Sequence, residues 1–125
     1  MSTNQLRVIG AGLFYLFIFV SGYWLSRSGK PYNGIVFNIH KLIALVAVVF
    51  LVITMRQINQ VARLSAIELT TGVVTGVFFL GTIISGGVLS IGKSISAAIL
   101  IIHQIAAFLT ALSTATTFYL LLTRK

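Results

Sequence analysis

The 125-residue sequence contains no cysteine, which excludes disulfides, thiol nucleophiles and iron–sulfur ligation. Acidic side chains are nearly absent as well: Glu68 is the one carboxylate against nine lysines and arginines. Options for acid–base chemistry are correspondingly few. Charge of either sign is low, at 8% of residues, where a soluble domain carries about a quarter. Hydrophobic residues make up 58% of the chain, and that balance is the composition of a membrane protein. The net charge of +8 would point to nucleic acid in a soluble chain. Here the basic residues stand singly or in pairs at the ends of apolar runs, where they anchor helices at the membrane interface. The partner this implies is the lipid bilayer, and no nucleic acid is expected.

Four apolar segments account for nearly everything: Val8–Leu25, Ile35–Met55, Ala66–Leu89 and Ser94–Thr123. Each is close to or above the length of about twenty residues that crosses a hydrocarbon core as a helix. The breaks between them are polar or glycine-bearing, namely "SRSGKPYNG", "RQINQVAR" and "SIGKS". The expected fold is all-α, an integral membrane four-helix bundle forming a single transmembrane domain over residues 1–125. Arg7 followed by an apolar run also has the look of a secretory signal, but a matching segment deep inside the chain argues against cleavage.

That match is an internal repeat, with one copy at about residues 8–55 and the other at about 66–123. "GLFYL" from Gly12 pairs with "GVFFL" from Gly76, and "SGYWLSRSGK" from Ser21 pairs with "SGGVLSIGK" from Ser85. Residue numbers differ by 64 before a single deletion and by 63 after it. Matches of leucine and phenylalanine mean little between membrane helices. The pairs Ser21/Ser85, Gly22/Gly86, Gly29/Gly92, Lys30/Lys93 and His40/His103 are harder to obtain by chance. A duplicated two-helix unit returns the chain to the side it came from, so the copies are parallel repeats about a pseudo-two-fold axis along the membrane normal. His40 and His103, the only histidines, are then expected at equal depth, about 10 Å into the second and fourth helices, facing each other across the bundle.

An ionisable side chain within a membrane is costly and calls for a partner or a function. A serine, a threonine or a backbone carbonyl of a neighbouring helix can satisfy a neutral imidazole. A zinc or copper ion held by protein alone wants a third ligand, and nothing suitable repeats. A ligand that brings four equatorial nitrogens and needs two axial imidazoles fits better, and that ligand is haem. His40 and His103 are the candidate iron ligands. Ala44 and Ala107, one helical turn beyond them, keep bulk away from a flat macrocycle. Gly22 and Gly86 lie at a similar depth on the first and third helices, where a porphyrin edge can approach the backbone. Arg27, Lys30 and Lys93 lie at the nearest surface, where propionates need cations.

Through "SGYWLS", "SGGVLS", "NIHKLIA" and "IIHQIAA" the chain resembles the bacterial four-helix membrane b-type cytochromes. The resemblance implies one haem b per chain between His40 and His103, and electron transfer with quinone or with another redox subunit. Many such cytochromes carry three or four ligating histidines and two haems, whereas two histidines serve one haem, which would exchange electrons near one membrane face. Two other classes fit the length: a small transporter or channel lined by stretches such as "ALSTATTF", and a structural subunit of a membrane complex without chemistry of its own. Glu68, close to Arg63 at the start of the third segment, reads as a partner of that arginine or of the helix N-terminus. Arg7, Arg56, Arg63, Arg124 and Lys125 on one face outnumber Arg27, Lys30, Lys41 and Lys93 on the other, which places the termini in the cytoplasm.

Overall fold

The computed structural model describes residues 2–29, 32–91 and 97–123. They form four α-helices, α1 Thr3–Ser28, α2 Gly34–Val61, α3 Ala66–Ile91 and α4 Ala97–Thr123, with no strand among the described residues. All four are long and apolar enough to cross a membrane. The protein is an all-α integral membrane protein. Even a 26-residue helix such as α1 is about 39 Å long, against a hydrocarbon core of about 30 Å. In α1 and α2 the surplus includes polar helix, residues 3–5 at the start of α1 and 56–60 at the end of α2.

Local chemistry explains where each helix begins and ends. α1 starts ahead of its apolar run because Ser2 and Gln5 form a reciprocal capping box, with the Ser2 N–H donating to Gln5 Oε1 at 2.9 Å and the Gln5 N–H donating to Ser2 Oγ at 3.1 Å. It stops at Gly29, whose φ of 67° suits a residue without a Cβ and whose N–H donates to the Leu25 carbonyl at 3.1 Å. The Asn33 side-chain oxygen accepts from the N–H groups of Ile35 and Val36 and so opens α2. α2 continues past Met55 through Arg56, Gln57 and Asn59, which need no apolar face in water. Ser65 and Glu68 cap α3: the Ser65 N–H donates to Glu68 Oε2 at 3.0 Å and the Glu68 N–H to Ser65 Oγ at 3.3 Å. The chain's one carboxylate, only 5% exposed, therefore helps to close a helix end. Gly92 to Ser96, the expected turn before α4, lie outside the described residues.

Backbone proximity groups the chain into two compact units, Met1–Gln57 and Ile58–Lys125. In the first, α1 and α2 form an antiparallel hairpin. Arg7 Nη2 donates to Gln57 Oε1 at 3.0 Å near one end, Phe14 meets Phe50 edge-on at 5.4 Å in the middle, and Ser21 meets His40 near the other end. Phe50 fits because Gly10 faces it: a Cβ on Gly10 would stand 3.3 Å from the ring's Cζ.

In the second unit α3 and α4 pair in the same antiparallel sense, but hydroxyls replace rings at the seam. Thr75 meets Ser113 and Thr117, the last at 3.2 Å, and Thr82 meets Thr110 at 3.1 Å. The buried positions Thr110, Thr114, Thr117 and Leu121 recur at alternating steps of four and three, the spacing of a helix–helix seam. Leu25 and Leu89, Ala47 and Thr110, Leu51 and Thr114, and Thr54 and Thr117 are all buried. Large apolar side chains such as Phe17, Leu42, Leu80 and Phe108 lie exposed on the helix surfaces, as a lipid environment requires.

Candidate functional site

His40 is the seventh residue of α2 and His103 the seventh of α4, so each stands about 9 Å along the axis from its helix start. Both rings are half-buried. In the first unit Ser21 Oγ lies 2.8 Å from His40 Nδ1, 2.7 Å from the Phe17 carbonyl oxygen and 3.1 Å from that of Ile18. A hydroxyl owns a single proton and a carbonyl oxygen only accepts. Ser21 can give its proton to its own helix backbone and accept from His40 Nδ1–H, or turn it toward a bare Nδ1.

The second unit repeats this arrangement. Ser85 Oγ lies 3.0 Å from His103 Nδ1 and donates to the Thr82 carbonyl oxygen, also at 3.0 Å. That carbonyl is itself 3.0 Å from His103 Nδ1, and since a carbonyl oxygen only accepts, the contact is a hydrogen bond when Nδ1 carries the proton. At His103 the Thr82 carbonyl favours the neutral form with the proton on Nδ1 and the lone pair on Nε2, and at His40 the Ser21 hydroxyl is compatible with the same form. Fixing a histidine through Nδ1–H is how proteins orient rings that ligate a metal through Nε2.

Gly22 and Gly86 are what admit these rings. A Cβ built on Gly22 would stand 3.1 Å from His40 Cε1, and one on Gly86 would stand 3.1 Å from His103 Cε1. Both are closer than carbon atoms pack at ease, which is about 3.5–4.0 Å. The space a side chain would fill thus holds the imidazole edge. Serine and glycine, adjacent in sequence, grip two sides of one ring.

Ala44 and Ala107 are half-buried one turn beyond the histidines, on the same helical face. Arg27 is exposed in the last turn of α1, while Lys30 and Lys93 lie outside the described residues. On the His40 side of the first unit, Tyr32 stacks on Phe37 with centroids 5.4 Å apart, and Lys41 Nζ lies 4.2 Å from the Phe37 centroid. Burial raises the Tyr32 phenol above its ordinary value. Among the described residues no three of histidine, cysteine, aspartate and glutamate gather to hold a bare metal ion.

Of the hydroxyls of "ALSTATTF", those of Ser113, Thr114 and Thr117 turn inward and are engaged, while Thr116 is exposed and donates to the Leu112 carbonyl of its own helix. Thr114 Oγ1 donates to the Thr110 carbonyl at 2.8 Å and Thr117 Oγ1 to the Ser113 carbonyl at 2.8 Å, and Ser113 and Thr117 also meet Thr75 across the seam. They act as interhelical glue.

Sequence reasoning did not place Ser21, Ser85 or the Thr82 carbonyl in the site. The signal for the serines was present, since each precedes a matched glycine in both copies, but hydroxyl direction follows from helix pairing and not from sequence. A backbone carbonyl leaves no trace in residue types at all. Compared with protein-family models, curated proteins and solved structures, the chain matches none of them, and its chemistry is read from the two histidine clusters themselves.

Proposed function

We propose that the protein is a membrane b-type cytochrome that holds one haem per chain with His40 and His103 as its axial ligands and exchanges electrons with quinone or a redox partner protein. The observation that supports this reading is the matched pair of contacts at the chain's two histidines, each with Nδ1 beside a serine Oγ that also reaches a carbonyl of its own helix. When bound, the haem supplies a one-electron ferric–ferrous couple. The chain's own residues do the rest. The serines hold the Nδ1 protons, the glycines admit the ring edges, Ala44 and Ala107 keep the adjoining helix face low, and Arg27, with Lys30 and Lys93, supplies cations for the propionates. The apolar helix surfaces exclude water and keep the couple in a low-dielectric setting.

The test is purification in mild detergent with reduced-minus-oxidised visible spectra and haem quantitation. The expected result is sharp reduced α and Soret bands at about one haem per chain, lost or crippled in His40→Ala and in His103→Ala. A protein that stays colourless after haem is supplied during expression and again in vitro overturns the proposal. Full haem occupancy in both histidine variants removes the ligand assignment.

A further inference from the structure

Ser21 and Ser85 stand out among the side chains that touch the histidines because their protons are already committed. Ser21 donates to the carbonyl of Phe17, four residues earlier on α1, and Ser85 to that of Thr82, three residues earlier on α3. Each hydroxyl is held in its role by the backbone of its own helix. It presents only lone pairs to the neighbouring imidazole, and at His103 the Thr82 carbonyl presents a second set from the same side.

We infer that Ser21 and Ser85 are positioning residues that lock His40 and His103 in the Nδ1–H tautomer before any ligand arrives and that set the electron-donating strength of their Nε2 atoms. The alternative tautomer, with its proton on Nε2, would require each serine to withdraw its proton from its own helix carbonyl and turn it onto Nδ1, and at His103 would set a bare Nδ1 against the Thr82 carbonyl, which has none to offer. Two acceptors facing each other in a half-buried site lose a hydrogen bond and repel. With the proton held on Nδ1 and drawn toward serine oxygen, electron density shifts onto the ring, and the bond from Nε2 to a metal strengthens. The more highly charged ferric state gains most, so the serines lower the reduction potential. The part of the inference that concerns potential rests on the cytochrome reading above; the tautomer lock does not.

The two parts are separable in one experiment on the full-length chain. Protein carrying ¹⁵N-labelled histidine is prepared in detergent without haem, and long-range proton–nitrogen correlations report which ring nitrogen holds the proton. Haem is then added and the midpoint potential is titrated. In the unsubstituted protein both rings are Nδ1–H. In Ser21→Ala the His40 signal becomes a tautomer mixture while that of His103 is unchanged. Ser21→Thr, which keeps the hydroxyl, restores the single form. In haem-loaded Ser21→Ala the bis-histidine spectrum persists, affinity falls on the order of tenfold to a hundredfold, and the midpoint rises. Each tenfold loss of ferric over ferrous preference reads as about 59 mV for a one-electron couple.

Nε2–H on either ring of the unsubstituted protein overturns the inference, and so does Ser21→Ala with an unchanged tautomer, affinity and midpoint. Failure of the unsubstituted protein to bind haem sinks the cytochrome reading instead, and the nitrogen spectra still decide the lock.

Discussion

Adjacent glycines on α3 provide a sharp contrast, because a methyl group added to one meets a histidine and added to the other meets nothing. In Gly86→Ala the new Cβ would stand 3.1 Å from His103 Cε1 and 3.5 Å from Nδ1. Comfortable carbon–carbon contact begins at about 3.5 Å, so the ring must recede by about 0.4 Å or more. Its Nδ1 bonds to Ser85 and to the Thr82 carbonyl, both 3.0 Å, would stretch beyond the ordinary hydrogen-bond limit of about 3.2 Å. Overpacking of this kind costs about 1–3 kcal/mol, which corresponds to about a 5- to 150-fold loss of affinity for a ligand that needs the ring in place. Gly87→Ala places its Cβ with nothing within 4 Å and restores a good helix former, so it should be neutral or stabilising by up to about 1 kcal/mol. The assay is haem titration into the haem-free variants, with thermal melting of the same samples. Equal affinity and equal melting for the two variants would refute the argument that glycine at position 86 exists to admit the imidazole.

The same logic makes Gly22→Ala weaken haem binding while Gly12→Ala, whose Cβ has nothing within 4 Å, leaves it intact; a pair of titrations decides. Thr75→Val removes the hydroxyl that joins α3 to Ser113 and Thr117. It should lower stability by about 0.6–2 kcal/mol in detergent unfolding while leaving the haem spectrum unchanged. Ser65→Ala breaks the capping box with Glu68 and should cost about 1 kcal/mol, read as a lower melting temperature with no shift in midpoint potential. Arg27→Ala should lower the midpoint slightly, because losing a cation beside a propionate favours the more positive ferric state, and should retain full haem occupancy, as quantitative spectra would report.

Four membrane helices were legible in the sequence because an apolar run long enough to cross a bilayer is a one-dimensional signal. The ends were less legible. The apolar run in α1 begins near Val8, yet the helix begins at Thr3, since Ser2 and Gln5 cap it by hydrogen bonding and hydropathy does not register a cap. His40 and His103 were conspicuous as the only histidines, and Gly22 and Gly86 as their matched companions. What the glycines touch, the imidazole edge, depends on how far α1 and α2, or α3 and α4, approach each other. Glu68 was read as a partner of the α3 N-terminus or of Arg63, and the structure gives it the Ser65 cap. The threonines of "ALSTATTF" were ambiguous between a polar path and a packed seam, because residue type says nothing about which side of a helix meets its neighbour.

The hydroxyl seam of the second hairpin bears on how the chain enters a bilayer. Thr75, Thr82, Thr110, Thr114 and Thr117 each donate to a carbonyl one turn earlier on their own helix. On each helix taken alone these five threonine protons can stay on its own backbone, and on pairing one hydroxyl of a facing pair turns its proton across the seam. α3 and α4 can therefore insert one after the other and pair afterwards. Their contacts across the seam need no water to be stripped away, because the hydroxyls were already dry.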